Sequence, residues 1–262
     1  MSATRANDYR YDAVFHRFAE RMALRSAQVI VPVVVEALGS RSVLDVGCGT
    51  GTWLREYTRH GLADVMGLDS EDLNPRALLI PRDRFKAVDI SQPFDLGRRF
   101  DLVQCLETAE HLSPDASRTI VANLTTHGRL VLFSAAVPGQ GGENHVNEQP
   151  YEFWRALLAE RGFVAFDFVR PAVRDLPQVE PWYRYNTLLY VHEDACQDLP
   201  CHVQSTRVPE PTAIRDISPL AYRVRKAVLR HVPRPVVSRL AILKHRLMPI
   251  RRVSSTSPDA TP

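Results

Sequence analysis

The chain has 262 residues, enough to bury one core of roughly 200 residues with length to spare. Its 45% hydrophobic and 24% charged composition is that of an ordinary globular protein, and no apolar run approaches the roughly 18 residues a membrane span needs. The net charge of +3 is too small to mark a nucleic-acid binder, and four scattered cysteines make no disulfide framework.

Residues 8–38 carry apolar side chains at helical spacing, from Val14 and Phe18 through Val29, Val34 and Leu38. They predict one or two helices, with Pro32 opening or kinking the second and Gly39 ending it. A strand, a glycine-rich turn and a helix follow in 42-SVLDVGCGTGTWLREYTRH-60. Short apolar strands are then expected at 64–69, 84–90, 100–106 and 128–136, with a helix over 114–127 begun by Pro114. After the polar loop 137–149, residues 150–163 predict an amphipathic helix closed by Gly162, and strands at 163–169 and 186–192 complete the pattern.

Strands alternating with helices imply an α/β fold: a Rossmann-like, mostly parallel sheet of seven strands with helices on both faces. The expected organisation is an N-terminal helical cover over 1–39, a main domain over 40–202, and a C-terminal extension over 203–262. That extension is basic, with no acid between residues 222 and 252, and is expected to be partly helical or disordered, its last ten residues disordered. Lys86, Lys226 and Lys244 are the only lysines, so arginine richness is a habit of the whole chain and weaker evidence here than elsewhere. The extension could lie on an anionic membrane, on the domain, or on a second subunit. The N-terminus lacks a hydrophobic signal core, from which a cytoplasmic location is expected. Nothing in the sequence sets an oligomeric state.

In 43-VLDVGCGTG-51 the glycines Gly47, Gly49 and Gly51 allow a tight turn and close approach of a ligand to the backbone. Such a turn by itself would suit a dinucleotide, but the third glycine of that fingerprint is missing, its place taken by Thr52. Asp45, ahead of the turn, is a poor neighbour for a pyrophosphate and a good one for the amino group and sulfonium of S-adenosylmethionine. Asp69 ends the second strand and Asp89 the third. With VLDVGCGTG, VMGLDS and AVDI in that order, residues 40–192 resemble the class I S-adenosylmethionine-dependent methyltransferases. The resemblance implies that Asp69 takes the ribose hydroxyls and that Asp89 and Ile90 flank the adenine. Trp53 is expected near the cofactor or in the core.

Beyond the fourth strand lie Glu107, Glu110 and His111, at i, i+3 and i+4, with His145 in the loop after the fifth strand. In an open α/β sheet these positions meet at the carboxyl ends of the strands, where ligands collect. Two carboxylates and two imidazoles form a mixed oxygen–nitrogen set suited to a divalent metal such as Mn²⁺, Fe²⁺, Co²⁺ or Zn²⁺. The E-x-x-E-H pattern with a later histidine resembles metal-assisted O-methyltransferases of the ubiquinone pathway and of small RNA, where the ion is usually taken as Mg²⁺. By that resemblance Glu107, Glu110, His111 and His145 hold the ion, and Glu110, His111 and His145 act on the reacting hydroxyl. Without an ion, His111 or His145 is the candidate general base, and Glu107 could instead order the loop.

The loop 140-QGGENHVNEQPYEFW-154 offers Asn147, Glu148 and Gln149 as groups to grip a sugar, with Gly141 and Gly142 expected to make it mobile; Asn147 or Glu148 could equally cap the following helix. It resembles loops of methyltransferases from carbohydrate and natural-product pathways. Trp182, Tyr183 and Tyr185 are candidates for an acceptor wall or for the core. His192, Cys196, Cys201 and His202 fit a zinc cluster poorly, because the spacing is loose. The expected activity is methyl transfer from S-adenosylmethionine to a saccharide hydroxyl. A phenolic quinone precursor, an RNA 3′-terminal ribose, or a non-catalytic cofactor-binding role are the rivals.

Overall fold

A computed structural model of the chain describes residues 9, 13–70, 73 and 75–247. The expected disordered end, residues 253–262, lies outside them. Ala13–Leu38 form a single helix, α1, running straight through Pro32. Proline there removes one internal hydrogen bond, and the cost is met by packing: Ala27, Ile30, Val31 and Val34 are completely buried on one side. Of the one or two helices expected, the chain thus forms one, and Pro32 does not open a second.

The main domain is a seven-stranded sheet in the order β3-β2-β1-β4-β5-β7-β6. Its strands are β1 (Ser42–Val46), β2 (Asp64–Asp69), β3 (Phe85–Ala87), β4 (Leu102–Leu106), β5 (Leu130–Ser134), β6 (Phe163–Phe166) and β7 (Leu188–His192). All neighbours are parallel except β7, which runs antiparallel to both β5 and β6. β1 and β4 are buried at every position, as continuous apolar strands covered on both faces must be. One face packs on α1 and α2 (Thr52–Arg59), with Leu54 and Tyr57 buried; the other packs on α3 (Ser117–His127) and α4 (Tyr151–Ala159), with Ile120, Leu124 and Leu158 buried.

The order reverses between β1 and β4, since β2 lies on one side of β1 and β5 on the far side of β4. A crevice therefore opens beyond the carboxyl ends of β1 and β4, and this is where the site is built.

Some elements differ from expectation. β3 stops at Ala87, leaving Asp89 and Ile90 in a loop, and β6 stops at Phe166, giving way to the short helix α5 (Val169–Val173). Two further short helices, α6 (Pro181–Asn186) and α7 (Cys201–Gln204), were not visible as periodic patterns because each is too brief to repeat.

The extension is helical where it is described: α8 spans Leu220–Leu229 and α9 spans Arg234–Leu247, with α9 packed against α1. It is anchored to the domain by specific polar contacts. Arg155 donates to the Thr212 carbonyl at 2.6 Å, and the Ile214 amide donates to Glu152 at 2.6 Å. The fully buried Arg170 clasps Asp167 through two 2.7 Å bonds and also donates to the Tyr185 and Arg215 carbonyls. Within the extension itself, the buried Lys226 pairs with Asp216 at 2.5 Å.

Candidate functional site

The glycine turn after β1 is held by Leu68, whose carbonyl accepts from the Gly47 and Cys48 amides at 2.8 and 3.0 Å. Gly47 must be glycine twice over. Its φ is +83°, and an added Cβ would lie 2.2 Å from Thr108 Cγ2, which crosses over from the turn after β4. Gly51 opens α2, and the Gly49 amide donates to Asp69 Oδ2 at 2.6 Å. Asp69, at the end of β2, therefore reaches the turn. Asp89 is exposed and accepts from the Ser91 amide and hydroxyl, while Ile90 is buried beside it with its carbonyl tied to Asn123.

Asp45 is buried, and its Oδ2 has no hydrogen-bond partner. Burial lifts its carboxyl to about 7, against a lowering contact from Gln104 and with Asp69 adding to the rise. A buried carboxyl left short of a partner is a natural seat for a cationic group. Cys48 and Cys105 are buried too, and burial drives both thiols well above their ordinary range, so neither offers a thiolate.

The acidic turn after β4 is not a full helical turn. Glu107 takes a left-handed backbone at φ 51°, and Ala109–His111 form a single 3₁₀ turn. The Glu107 amide donates to the Ser134 carbonyl at 2.9 Å, which binds the turn to the end of β5. Glu110 is completely buried, and neither of its carboxylate oxygens has a hydrogen-bond partner. Its backbone carbonyl accepts from the Val146 and Asn147 amides, both at 3.0 Å, so the loop after β5 hangs directly on this residue. Burial, reinforced by the charge of Glu107, holds the Glu110 carboxyl well above the usual carboxylate range.

That loop delivers His145. Ligand atoms of Glu110, His111 and His145 lie within 4.8 Å of one another, and the two imidazoles meet edge to face with centroids 4.9 Å apart. Each ring has one nitrogen already engaged: His111 Nδ1 lies 3.3 Å from the Asn144 carbonyl and His145 Nδ1 lies 3.0 Å from Glu148 Oε1. With Nδ1 as the donor in both rings, each Nε2 carries the ring's lone pair. Burial, aided by His145, lowers His111 to about 3, keeping it neutral at ordinary pH. Glu148 also accepts from the Gly139 and Gly141 amides at 2.8 Å; burial pushes its carboxyl up, but these bonds and His145 outweigh it and hold it low. Two imidazoles with oriented lone pairs and a buried carboxylate without partners fit a divalent metal.

Glu107 does not join this trio. Its oxygens accept from Gln140 Nε2 at 2.6 Å and Asn186 Nδ2 at 3.3 Å, and burial nevertheless keeps its carboxyl raised. Asn186 donates to Gln140 Oε1 as well, at 2.8 Å. Neither amide was singled out by the sequence; Asn186 ends a short helix, where no periodicity marks it.

The loop is pinned rather than free. Gln140, Glu143 and Asn147 are buried; Asn147 donates to Ser117, and Glu143 accepts from the Tyr9 hydroxyl at 2.6 Å. Helix α4 begins at Pro150 with no side-chain cap, so Asn147 and Glu148 serve the loop and the histidine instead. The extension covers the same loop: Arg225 donates to the Gln140 carbonyl, Arg234 to the Val146 carbonyl, and the Asn144 amide to Ser238. Between loop and extension lies a cavity of about 140 Å³, lined in part by Gly142, His145, Glu148, Arg230 and Arg234. Tyr183 and Tyr185 are buried, as is Trp53, which meets Tyr183 edge-on at 5.1 Å; these are core residues. Among the described residues, His192, Cys196, Cys201 and His202 do not gather as metal ligands.

Known proteins fit this arrangement. A family model described as a methyltransferase domain matches residues 4–167. The dTDP-4-amino-2,3,4,6-tetradeoxy-D-glucose N,N-dimethyltransferase of Saccharopolyspora spinosa is 31% identical over 121 residues, covering 45% of this chain and 48% of that protein. A ubiquinone biosynthesis O-methyltransferase of Acinetobacter baylyi is 33% identical over 131 residues, covering 46% and 50%. The chain thus spans about half the length of these curated relatives. The sugar N-methyltransferase KedS8 from Streptoalloteichus sp. superposes with a TM-score of 0.50 at 21% identity, over 73% of this chain and 99% of that one, and shares the fold. With the glycine turn after β1, the sheet order and a family match over more than half its length, the chain belongs to the methyltransferase-domain family, the class I S-adenosylmethionine-dependent methyltransferases.

Proposed function

We propose that the chain transfers the methyl group of S-adenosylmethionine to a hydroxyl oxygen of a saccharide or glycosylated natural product, with a divalent metal held by Glu110, His111 and His145. The observation that carries this reading is the pair of unpartnered Glu110 oxygens, buried and converging with the two imidazoles. Ionising a carboxyl in that state is costly unless a cation completes it.

Roles follow from position. Asp45 balances the positive charge of the donor, Gly47, Gly49 and Gly51 let it approach the backbone, Asp69 takes its ribose, and Asp89 with Ile90 borders its adenine. Bound at the trio, an ion such as Mn²⁺ or Mg²⁺ would supply Lewis acidity, which lowers the pKa of a nearby hydroxyl. Glu110 would offset the ion's charge, while Glu148 and the Asn144 carbonyl would fix the two rings so that Nε2 points inward. Glu107, braced by Gln140 and Asn186, is placed beside the trio to take a proton or to order the acceptor.

The saccharide reading draws on the amino-sugar dimethyltransferase relative and on the cavity beside His145. That relative is named for nitrogen methylation; oxygen is preferred here because an amine needs no ion to become nucleophilic near neutrality. The ubiquinone-pathway relatives favour a phenol as the second reading. Labelled S-adenosylmethionine, supplied with nucleotide-linked saccharides and catechols, with chelator and with Mn²⁺ added back, separates the two. Saccharide O-methylation that stops with chelator and returns with Mn²⁺ is the expected result. Turnover indifferent to chelation, or a methyl found on nitrogen, would remove the metal-assisted hydroxyl reading.

A further inference from the structure

We infer that α8 and α9 form a docking surface for an anionic lipid membrane. Leu220, Val224 and Val228 recur every fourth residue along α8, at exposures of 68, 55 and 60%. Val236, Leu240, Leu243 and Leu247 recur at i, i+4, i+7 and i+11 along α9, at 45, 55, 52 and 71%. Each set forms one stripe on its helix. Among the described residues the other exposed large apolar side chains are Tyr9 and Leu176 alone, so the exposed apolar surface is concentrated here.

These stripes are not the helices' inner faces. On α9 the half-buried Val237, Ala241 and Ile242 face the protein, where the helix packs on α1, and Ser238 accepts from the Asn144 amide. The outward stripe is a second apolar face, exposed among the described residues.

Charge selects the occupant. From residue 217 to residue 247 there is no Asp or Glu, while Arg223, Arg230, Arg239 and Lys244 are exposed beside the stripes. A symmetric contact with a second copy would set these cations against one another. An anionic surface neutralises them while the aliphatic side chains enter the interface. No helix among the described residues is long and apolar enough to cross a membrane, so the attachment is peripheral.

The test uses the full chain, sedimented with vesicles of phosphatidylcholine alone or mixed with phosphatidylglycerol. At least tenfold stronger binding to the mixed vesicles is expected, weakening as salt rises. Leu240→Glu with Leu243→Glu, and separately Arg239→Gln with Lys244→Gln, should each cut that binding at least tenfold while circular dichroism and S-adenosylmethionine binding stay unchanged. Equal binding to both vesicle types, no binding, or wild-type binding by both double variants would overturn the proposal. So would a dimer in analytical ultracentrifugation that the Leu240→Glu, Leu243→Glu change dissociates while vesicles are ignored.

Discussion

Gly142 is the most informative position for testing the metal trio, because it constrains His145 without touching the other groups. Its backbone is in no left-handed region, so alanine is conformationally allowed. Space is the obstacle: an added Cβ would fall 2.1 Å from His145 Nε2, 2.3 Å from Cε1 and 2.7 Å from Cδ2. Ordinary contact begins near 3.4 Å, so the ring would have to retreat by roughly 1.3 Å. It is held by Glu148 at Nδ1 and meets the His111 ring edge to face, so it cannot retreat without loosening one or both. A displacement of about 1 Å at a reacting centre costs on the order of a hundredfold, and disturbing the groups that orient a ligand costs ten- to a hundredfold in metal affinity. Gly142→Ala should therefore lose at least tenfold in Mn²⁺ affinity by calorimetry and a similar factor in methyl transfer. Its S-adenosylmethionine affinity should be unchanged, since the glycine turn lies on β1. Mn²⁺ affinity and turnover at wild-type levels in this variant would show that His145 Nε2 ligates nothing.

Glu110→Gln should separate stability from function: the amide replaces an acid that burial makes costly to ionise, so the metal-free protein should gain about 1–3 kcal/mol in a denaturant melt run with chelator, while Mn²⁺ binding is lost. Asp45 makes donor affinity depend on pH. Its folded pKa of about 7 lies above its unfolded value, so the ligand-free fold loses stability as pH rises from about 4 through 7, by roughly 4 kcal/mol at most, while S-adenosylmethionine affinity climbs as the carboxyl ionises. Titration calorimetry across pH 6–8 on wild type and Asp45→Asn checks this, the variant showing the flatter profile. Gly47→Ala, which meets both a φ of +83° and Thr108 at 2.2 Å, should abolish donor binding or folding; a variant that binds the donor normally would mean the turn is more plastic than its contacts imply.

Long patterns were legible in the sequence, and short or purely spatial ones were not. The strands β1, β2, β4 and β5 announce themselves as apolar runs beside turns, and their alternation with helices points to a mostly parallel sheet. Pro32 misled because a proline's local cost is a few kcal/mol, while α1 buries a full apolar stripe that its sequence neighbours cannot reveal. Helices α5, α6 and α7 are four to six residues long, too few for a 3.6-residue period to be read. The basic extension showed its charge but not its anchors, because Glu152, Arg155 and Arg170 lie at least 45 residues before the groups they hold, with no pattern linking them.

At the site the same division holds, and it explains why three of the four proposed ligands converge while Glu107 does not. The spacing of Glu107, Glu110 and His111 suggested one helical face, but that inference assumed a regular helix. Glu107 instead bends into the left-handed region, where a residue without glycine's freedom sits at a cost of order 1–3 kcal/mol. Its amide bonds to Ser134, and its carboxylate bonds to Gln140 and Asn186, offset that cost through partners 27, 33 and 79 residues away. Glu110, by contrast, has no amide or hydroxyl on its carboxyl oxygens, and the neighbouring Glu107 helps to hold its carboxyl above the usual range. On the proposed reading, Glu107 braces the turn and Glu110, with His111 and His145, would hold the cation.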